Sequence, residues 1–340
     1  MTDRATIAAA LEAVADPAGG GNVVATGRAG GIVAKADGGA GLVLTLDGLD
    51  RTTAERMYAA VELAVRRVPG ITAVRIVTTA ERSGEAPRAT TIPGVRTIVA
   101  VASGKGGVGK STVAVNLAVA LARRGLAVGV LDADIYGPSV PTLLGLTARG
   151  ALDGKRLVPA VAYGIRALSM GMMTDPGKAV IWRGPMAASA MTQMIDAGDW
   201  GLLDVLVVDL PPGTGDIQLT LAQKVKPTAA VIVSTPQDLA LIDARRAIAM
   251  FAEVGVPVLG LIENMSGFLC PACGTATDIF GAGGAEAAAA AAGIAFLGRL
   301  PLDLAVREAS DAGVPPAVGS GPVADAFAAL AAQVAEGLQL

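Results

Sequence analysis

The spacing of apolar positions divides the chain into two stretches of different character. Over residues 1–80 it predicts a small α+β unit. Its elements are a helix over Ala5–Val14, short Val/Ile/Leu strands at Ile32–Ala36 and Leu42–Leu46, an amphipathic helix over Thr52–Val68 and a strand at Ile71–Thr78. Residues 81–92, which begin Glu81-Arg-Ser-Gly-Glu-Ala-Pro, are polar, carry a proline and lack periodicity, so they read as a linker. From 93 to 340 continuous apolar runs take over, at Thr97–Ala102, Leu126–Asp132, Leu203–Asp209, Ala229–Ser234 and Val256–Ile262. Runs without alternation are how parallel strands covered on both faces read. Helical patterns such as Thr112–Arg124 and Asp238–Val254 lie between them, which predicts an α/β fold with a doubly wound, mostly parallel sheet. Ligand loops then fall at the carboxyl ends of the strands. Ala285–Ala292, nearly all alanine, reads as a good helix former on a packed surface.

Composition changes this picture mainly by exclusion. Lys and Arg total 27 against 30 Asp and Glu, a net charge of −3, so no global pull toward nucleic acid or anionic lipid is expected. A hydrophobic content of 52% looks membrane-like, yet alanine inflates it and no charge-free run approaches the ~18 residues of a spanning helix. The start, Met1-Thr-Asp-Arg, has no apolar signal core, so a soluble cytoplasmic chain is expected. There is no histidine, which removes imidazole as base or metal ligand. The two cysteines, Cys270 and Cys273, are too few for a disulfide framework.

Directly after the run Thr97–Ala102 stands Ser103-Gly-Lys-Gly-Gly-Val-Gly-Lys-Ser-Thr112, a phosphate-binding loop (P-loop) in its strand-loop-helix context. Gly104, Gly106, Gly107 and Gly109 let successive N–H groups face a phosphate, Val108 lies among them, and the helix opening at Thr112 adds its positive end. Lys110 is expected to reach the β- and γ-phosphates of ATP, and Ser111 to ligate Mg²⁺. The fold class is accordingly a P-loop NTPase. Lys105, inside the loop, is either a solvated cation or a charge donated across a two-fold interface to a partner's nucleotide. Asp132 and Asp134 end the next strand, where alternation aims them the same way. Asp134 is assigned to orienting the attacking water, Asp132 to Mg²⁺ and the switch. Asp209, before Leu-Pro-Pro-Gly-Thr-Gly-Asp216, suits an outer-sphere Mg²⁺ ligand followed by a nucleotide-sensing loop.

Cys270-Pro-Ala-Cys273-Gly forms a knuckle that turns two thiolates toward one metal, and its spacing serves zinc, iron or a redox dithiol. A four-sulfur site in this chain needs two copies of the knuckle meeting across a two-fold axis.

These residues resemble the Mrp-type iron-sulfur cluster carriers, P-loop ATPases related to the nitrogenase iron protein and to the Min and Par positioning ATPases. The resemblance covers roughly Pro93 to Leu340. Besides the segments above it includes Trp182-Arg-Gly-Pro185, Ser234-Thr-Pro-Gln237, Asn264-Met-Ser-Gly267 and Leu300-Pro-Leu-Asp303. It implies a homodimer that binds ATP in each subunit, holds a labile [4Fe-4S] cluster between paired C-x-x-C loops and passes it from assembly scaffolds to apo-proteins. It further implies that Asn264 contacts adenine and that Lys105 is the lysine of a deviant phosphate loop. Residues 1–80 resemble the small iron-sulfur maturation domain often fused to such carriers, with Asp16-Pro17 in place. The cysteine that this domain often carries is absent from Leu46–Thr53, which leaves partner docking rather than metal chemistry. Ala272 stands where the knuckle often has histidine.

Two other readings fit parts of this pattern. A positioning ATPase that cycles on membrane needs a basic amphipathic terminal helix, whereas 322–338 has an apolar stripe of Val323, Phe327, Leu330 and Val334 and no Lys or Arg. A shared structural zinc fits the same thiolate count as a cluster.

Overall fold

The computed structural model describes residues 4–34, 38–46, 49, 51–79, 92–147, 150–153, 156–173 and 184–340. The chain divides into two compact units, Met1–Arg88 and Ala89–Leu340. The expected linker lies outside the described residues except for Ile92, as do Trp182 and Arg183.

The small unit runs α1 (Arg4–Leu11), β1 (Ala29–Ala34), β2 (Gly39–Thr45), α2 (Arg51–Arg66) and β3 (Ala73–Thr79). Its sheet has the order β1-β2-β3, with β1 antiparallel and β3 parallel to β2. Burial alternates along β2, so Ala40, Leu42 and Leu44 face the helices and meet Ile7, Leu11, Met57, Val61 and Val65. Beside this core Asp16, 8% exposed, accepts from Arg28 Nε at 2.8 Å and from the Ala18 N–H at 2.9 Å. Burial pushes the Asp16 carboxyl up, but the Ala18, Thr26 and Arg28 donors together hold it below the usual range. Asp16-Pro17 is therefore a structural corner.

The large unit begins with β4 (Val95–Ala102), α3 (Lys110–Arg123), β5 (Val128–Asp132) and the short α4 (Val140–Leu143). A hairpin of β6 (Ala151–Asp153) and β7 (Arg156–Val158) follows, then β8 (Ala160–Ala162), β9 (Ile165–Ser169), α5 (Gly184–Ala197), β10 (Leu203–Asp209) and α6 (Asp216–Val225). Next come β11 (Ala229–Ser234), α7 (Asp238–Glu253), β12 (Val258–Glu263), the two-residue strands β13 (Phe268–Leu269) and β14 (Ala276–Thr277), α8 (Gly284–Ala292) and β15 (Ala295–Arg299). Helices α9 (Leu304–Asp311) and α10 (Pro322–Gly337) close the chain.

Eight strands form one sheet in the order β15-β12-β11-β4-β10-β5-β9-β8, parallel throughout except for β8 at the edge. This is the expected α/β class. Ile98, Ala100 and Ala102 of β4 join one core with α5, α6, α7 and α8, while Val99 and Val101 join the other with α3 and α10. Both faces are covered, and the continuous apolar runs follow from that. Strand β4 is central, and the chain leaves it toward β5 on one side and later returns to β11 on the other, so the loop after β4 stands at the switch point of the sheet. The alanines of α8 have a packing reason: Ala285, Ala288 and Ala289 are buried in the first core. In α10, Phe327, Leu330 and Val334 are buried against α3, and Val323 is half-buried.

Phe251 of α7 is fully buried in the first core. Phe251→Ala should destabilise the large unit by about 3–5 kcal/mol. Urea unfolding followed by tryptophan emission reads this, because Trp200 lies in the same core.

Candidate nucleotide and thiolate sites

The loop after β4 is shaped by residues that come to it from distant strands. Helix α3 starts at Lys110, two residues before the helix expected from Thr112, with Gly109 in the left-handed conformation (φ 80°) ahead of it. Gly107 also takes φ 80°. A Cβ on Gly104 would collide with the backbone of Asp243 in α7, and one on Gly109 with the side-chain amide of Asn264. Glycine is thus required twice by close approach and twice by backbone sign. The Ser103 hydroxyl donates to the Lys105 carbonyl at 2.9 Å, and Gly213 N–H donates to the Ser103 carbonyl at 2.9 Å, tying the loop to the segment after β10.

Lys110 is 6% exposed and its Nζ lies 2.5 Å from Oδ1 of Asp209, which is fully buried at the end of β10. The same ammonium reaches Ser111 Oγ at 3.2 Å. Oδ2 of Asp209 is buried without a hydrogen-bond partner among the described residues. An orphaned carboxylate oxygen beside a serine hydroxyl suits a hydrated divalent cation. Parallel register sets Asp209 directly across from Asp132 of β5. Burial first, and then the Asp209 carboxylate, push Asp132 up to about 7.

Asp132, expected to serve Mg²⁺ and the switch, is enclosed by donors from its own loop and from β9. Its Oδ1 accepts the Asp134 N–H at 3.1 Å, and its Oδ2 accepts the Val140 N–H at 3.1 Å and the Ser169 hydroxyl at 2.9 Å. Both oxygens thus help to hold the loop that carries Asp134. Asp134 is 8% exposed, and its Oδ1 accepts the Gly137 N–H at 3.3 Å. Lys105 is half-exposed, with no ion-pair partner among the described residues.

Asn264 follows the last residue of β12. Its Nδ2 donates to the Val108 carbonyl at 2.8 Å, which locks it against the phosphate loop. A cavity of about 340 Å³ opens beside this contact, walled by Gly109, Thr112, Asn264, Leu300, Leu302 and Phe327 among others. It is mostly apolar and adjoins the start of α3, a shape that accepts a purine while the phosphates lie along the loop.

Cys270 and Cys273 sit in the turn joining β13 and β14. Cys270 N–H donates to the Thr275 carbonyl at 3.0 Å, and Gly274 N–H to the Cys270 carbonyl at 2.8 Å, with Gly274 at φ 71°. Cys273 is exposed and Cys270 half-buried. Cys273 Sγ and Thr275 Oγ1 are 3.2 Å apart. Hydrogen bonds from the Thr275 hydroxyl and N–H, and then from Cys270, hold the Cys273 thiol below the usual range. No group of three or more metal-ligating side chains occurs among the described residues. The hairpin therefore offers two sulfur ligands and leaves the rest of any coordination shell open.

A family model described as an NUBPL iron-transfer P-loop NTPase matches residues 94–335. The chain belongs to that family. A second model, for an iron-sulfur cluster assembly protein, matches residues 4–77. The iron-sulfur cluster carrier protein of Pseudomonas fragi is 51% identical over 255 residues, 73% of this chain and 89% of that one. A nucleotide-binding protein of Archaeoglobus fulgidus, solved in complex with ADP, is 40% identical with a TM-score of 0.60, over 68% of this chain and 90% of that one. The cell division ATPase of Pyrococcus furiosus shares the fold, with a TM-score of 0.54 at 22% identity over 71% of this chain and 98% of that one.

The residues that close the site were less visible in the sequence. Ser169, Thr275 and Glu263 act through hydrogen bonds that span from 2 to 37 positions, and no motif announces them. The cavity wall 300–303 was visible only as part of a family pattern.

The pair of facing carboxylates has a measurable consequence. Asp132 has a folded pKa raised above 3.8, so its contribution opposes folding as pH climbs from about 4 to about 7. Asp209→Asn should lower the Asp132 pKa and flatten that decline, as read by carboxyl carbon NMR and by unfolding at several pH values.

Proposed function

We propose that the chain is an ATP-binding and ATP-hydrolysing homodimeric carrier. It holds a labile [4Fe-4S] cluster between two Cys270/Cys273 hairpins and passes it from assembly scaffolds to apo iron-sulfur proteins. The observation that carries this reading is the union in one unit of a glycine-shaped lysine loop and an exposed thiolate hairpin that supplies half of a four-sulfur shell. Membership of an iron-transfer family and the carrier relatives support it.

In this proposal the purine enters the cavity beside Asn264. The backbone N–H groups of residues 104–112 receive the phosphates, and Lys110 swings between Asp209 and the β- and γ-phosphates. Ser111 directly, and Asp209 through water, would hold Mg²⁺, which when bound offsets charge on the phosphate oxygens. Asp134 orients a water whose oxygen attacks the γ-phosphorus as the bond to the bridging oxygen of ADP breaks. Lys105 is the cation that crosses to the partner's nucleotide. Closure of the two copies around ATP changes the spacing or exposure of the paired hairpins, and with it the ease of cluster release.

A membrane-cycling role is disfavoured because the apolar face of α10 is already buried, and no helix among the described residues is long and apolar enough to cross a membrane. A cytoplasmic location is part of this proposal.

Anaerobic reconstitution with iron and sulfide tests the cargo. Wild type should bind about four iron atoms per two chains and turn brown, and Cys270→Ser or Cys273→Ser should not. Zinc recovered in place of iron, or a metal centre retained by a strict monomer, would remove the carrier reading. Lys105→Ala should cut ATP turnover by about 10³-fold, leaving ATP binding within a few-fold, as measured by phosphate release and by titration of the nucleotide.

A further inference from the structure

Glu263 ends β12, carries no motif and is fully buried. Its register partner on β11 is Ser234, its carbonyl accepts the Leu300 N–H at 2.8 Å, and the next residue is the Asn264 that donates to the phosphate loop. The carboxylate gathers both ends of the segment that bears the cysteines. Oε1 accepts the Ser266 hydroxyl at 2.6 Å, where that segment leaves the sheet, and the Gly283 N–H at 2.9 Å, where it returns. Oε2 accepts the Ala285 N–H at 2.8 Å in the first turn of α8, and the Arg299 guanidinium lies 3.5 Å from Oε1. A buried carboxylate with three donors and a nearby cation is fully satisfied, so its contacts are strong and directional. One side chain thus fixes residues 17 positions apart, and the nucleotide-facing Asn264 is bonded to it through a single peptide.

We propose that Glu263 is the positioning residue that couples nucleotide occupancy at the phosphate loop to the placement of the Cys270/Cys273 hairpin. This rests on the carrier reading for its purpose, but its physical content is narrower. On this reading a displacement of the Asn264 backbone on nucleotide binding is carried into Glu263, and the carboxylate delivers that movement to the entry and exit of 266–283 together. The hairpin then shifts as a body. Without the clamp the two ends respond independently, and the turn between them takes up the change. Coupling of this kind needs a defined element biased by both sites, and the clamped loop is one.

Glu263→Gln is the sharpest variant. It keeps the shape but exchanges one acceptor oxygen for an NH₂ donor, which must then face Ala285 N–H or the Gly283 and Ser266 donors. Hydrogen–deuterium exchange on the metal-free full-length chain, with and without Mg-ATP, reads the result. In wild type, ATP should slow exchange across 266–283 by about tenfold, and in Glu263→Gln by less than about twofold, with protection of residues 104–112 by ATP retained in both. A purely structural role would quicken exchange of 266–283 equally in both nucleotide states and preserve the ATP-dependent ratio. That result overturns the proposal, as does a wild-type loop that ignores ATP. If Glu263→Gln does not fold, Ser266→Ala, which removes only the entry contact, should lose the ATP effect over the entry half, and its full retention would count equally against the clamp. The measurement needs no cluster, so iron analysis of wild type judges the carrier reading separately.

Discussion

A buried imbalance of charge organises this protein. Lys110, Asp209 and Asp132 are all buried at the carboxyl ends of adjacent parallel strands and the start of one helix, and they bring two carboxylates to a single ammonium. Ionised groups in such a place are costly unless each is paired. The sheet meets the demand in three ways. Lys110 takes one oxygen of Asp209. Hydrogen bonds to Ser169, Val140 and Asp134 occupy Asp132, which also tends toward the protonated form. The remaining oxygen of Asp209 has no hydrogen-bond partner among the described residues, a need that the proposed hydrated Mg²⁺ beside Ser111 would answer.

Local chemistry made much of this legible. The glycine-lysine loop between an apolar run and a helix could be read because one short segment contains every group involved, and the strand ends at Asp132 and Asp209 could be read because both faces of their strands are apolar. What stayed hidden is long-range. Asn264 and Val108 are 156 positions apart, and no periodicity reports that one donates to the other. The place of Asp132 at a strand tip beside the phosphate loop is local and legible, and the enclosure of its carboxylate is not. Here three donors from the following loop and from β9 enclose it. Strands β9 and β15 were also missed, since Ile165–Ser169 and Ala295–Arg299 are short and Gly298 and Arg299 dilute the second.

The helix boundary at Lys110 shows how a small error carries chemistry. Starting α3 at Thr112 would leave Lys110 and Ser111 in the loop. Starting it at Lys110 makes them the first helical residues, so their N–H groups join the positive end of α3 and their side chains leave it toward Asp209. The left-handed Gly109 makes this possible, and the Asn264 amide occupies the space its Cβ would need. Helix start, lysine direction and the β12 terminus are therefore one constraint seen from three elements.

That constraint also reaches the thiolate hairpin, which is exposed at Cys273 and tied at its base. Turns at a protein surface normally drift, because few backbone groups hold them. Here the β13-β14 hairpin closes on itself through Cys270, Gly274 and Thr275, Leu302 N–H donates to the Gly267 carbonyl at 2.9 Å, and Glu263 fixes the segment at its roots. Under the proposed shared cluster, sulfur ligands that meet a second set would need this combination. If the hairpin were mobile, the entropy of ordering two copies would oppose assembly of a shared metal site. If it were buried, the second copy could not reach. Exposure at the tip and restraint at the base satisfy both demands, and the restraint leads back through a single peptide bond to the residue that touches the phosphate loop.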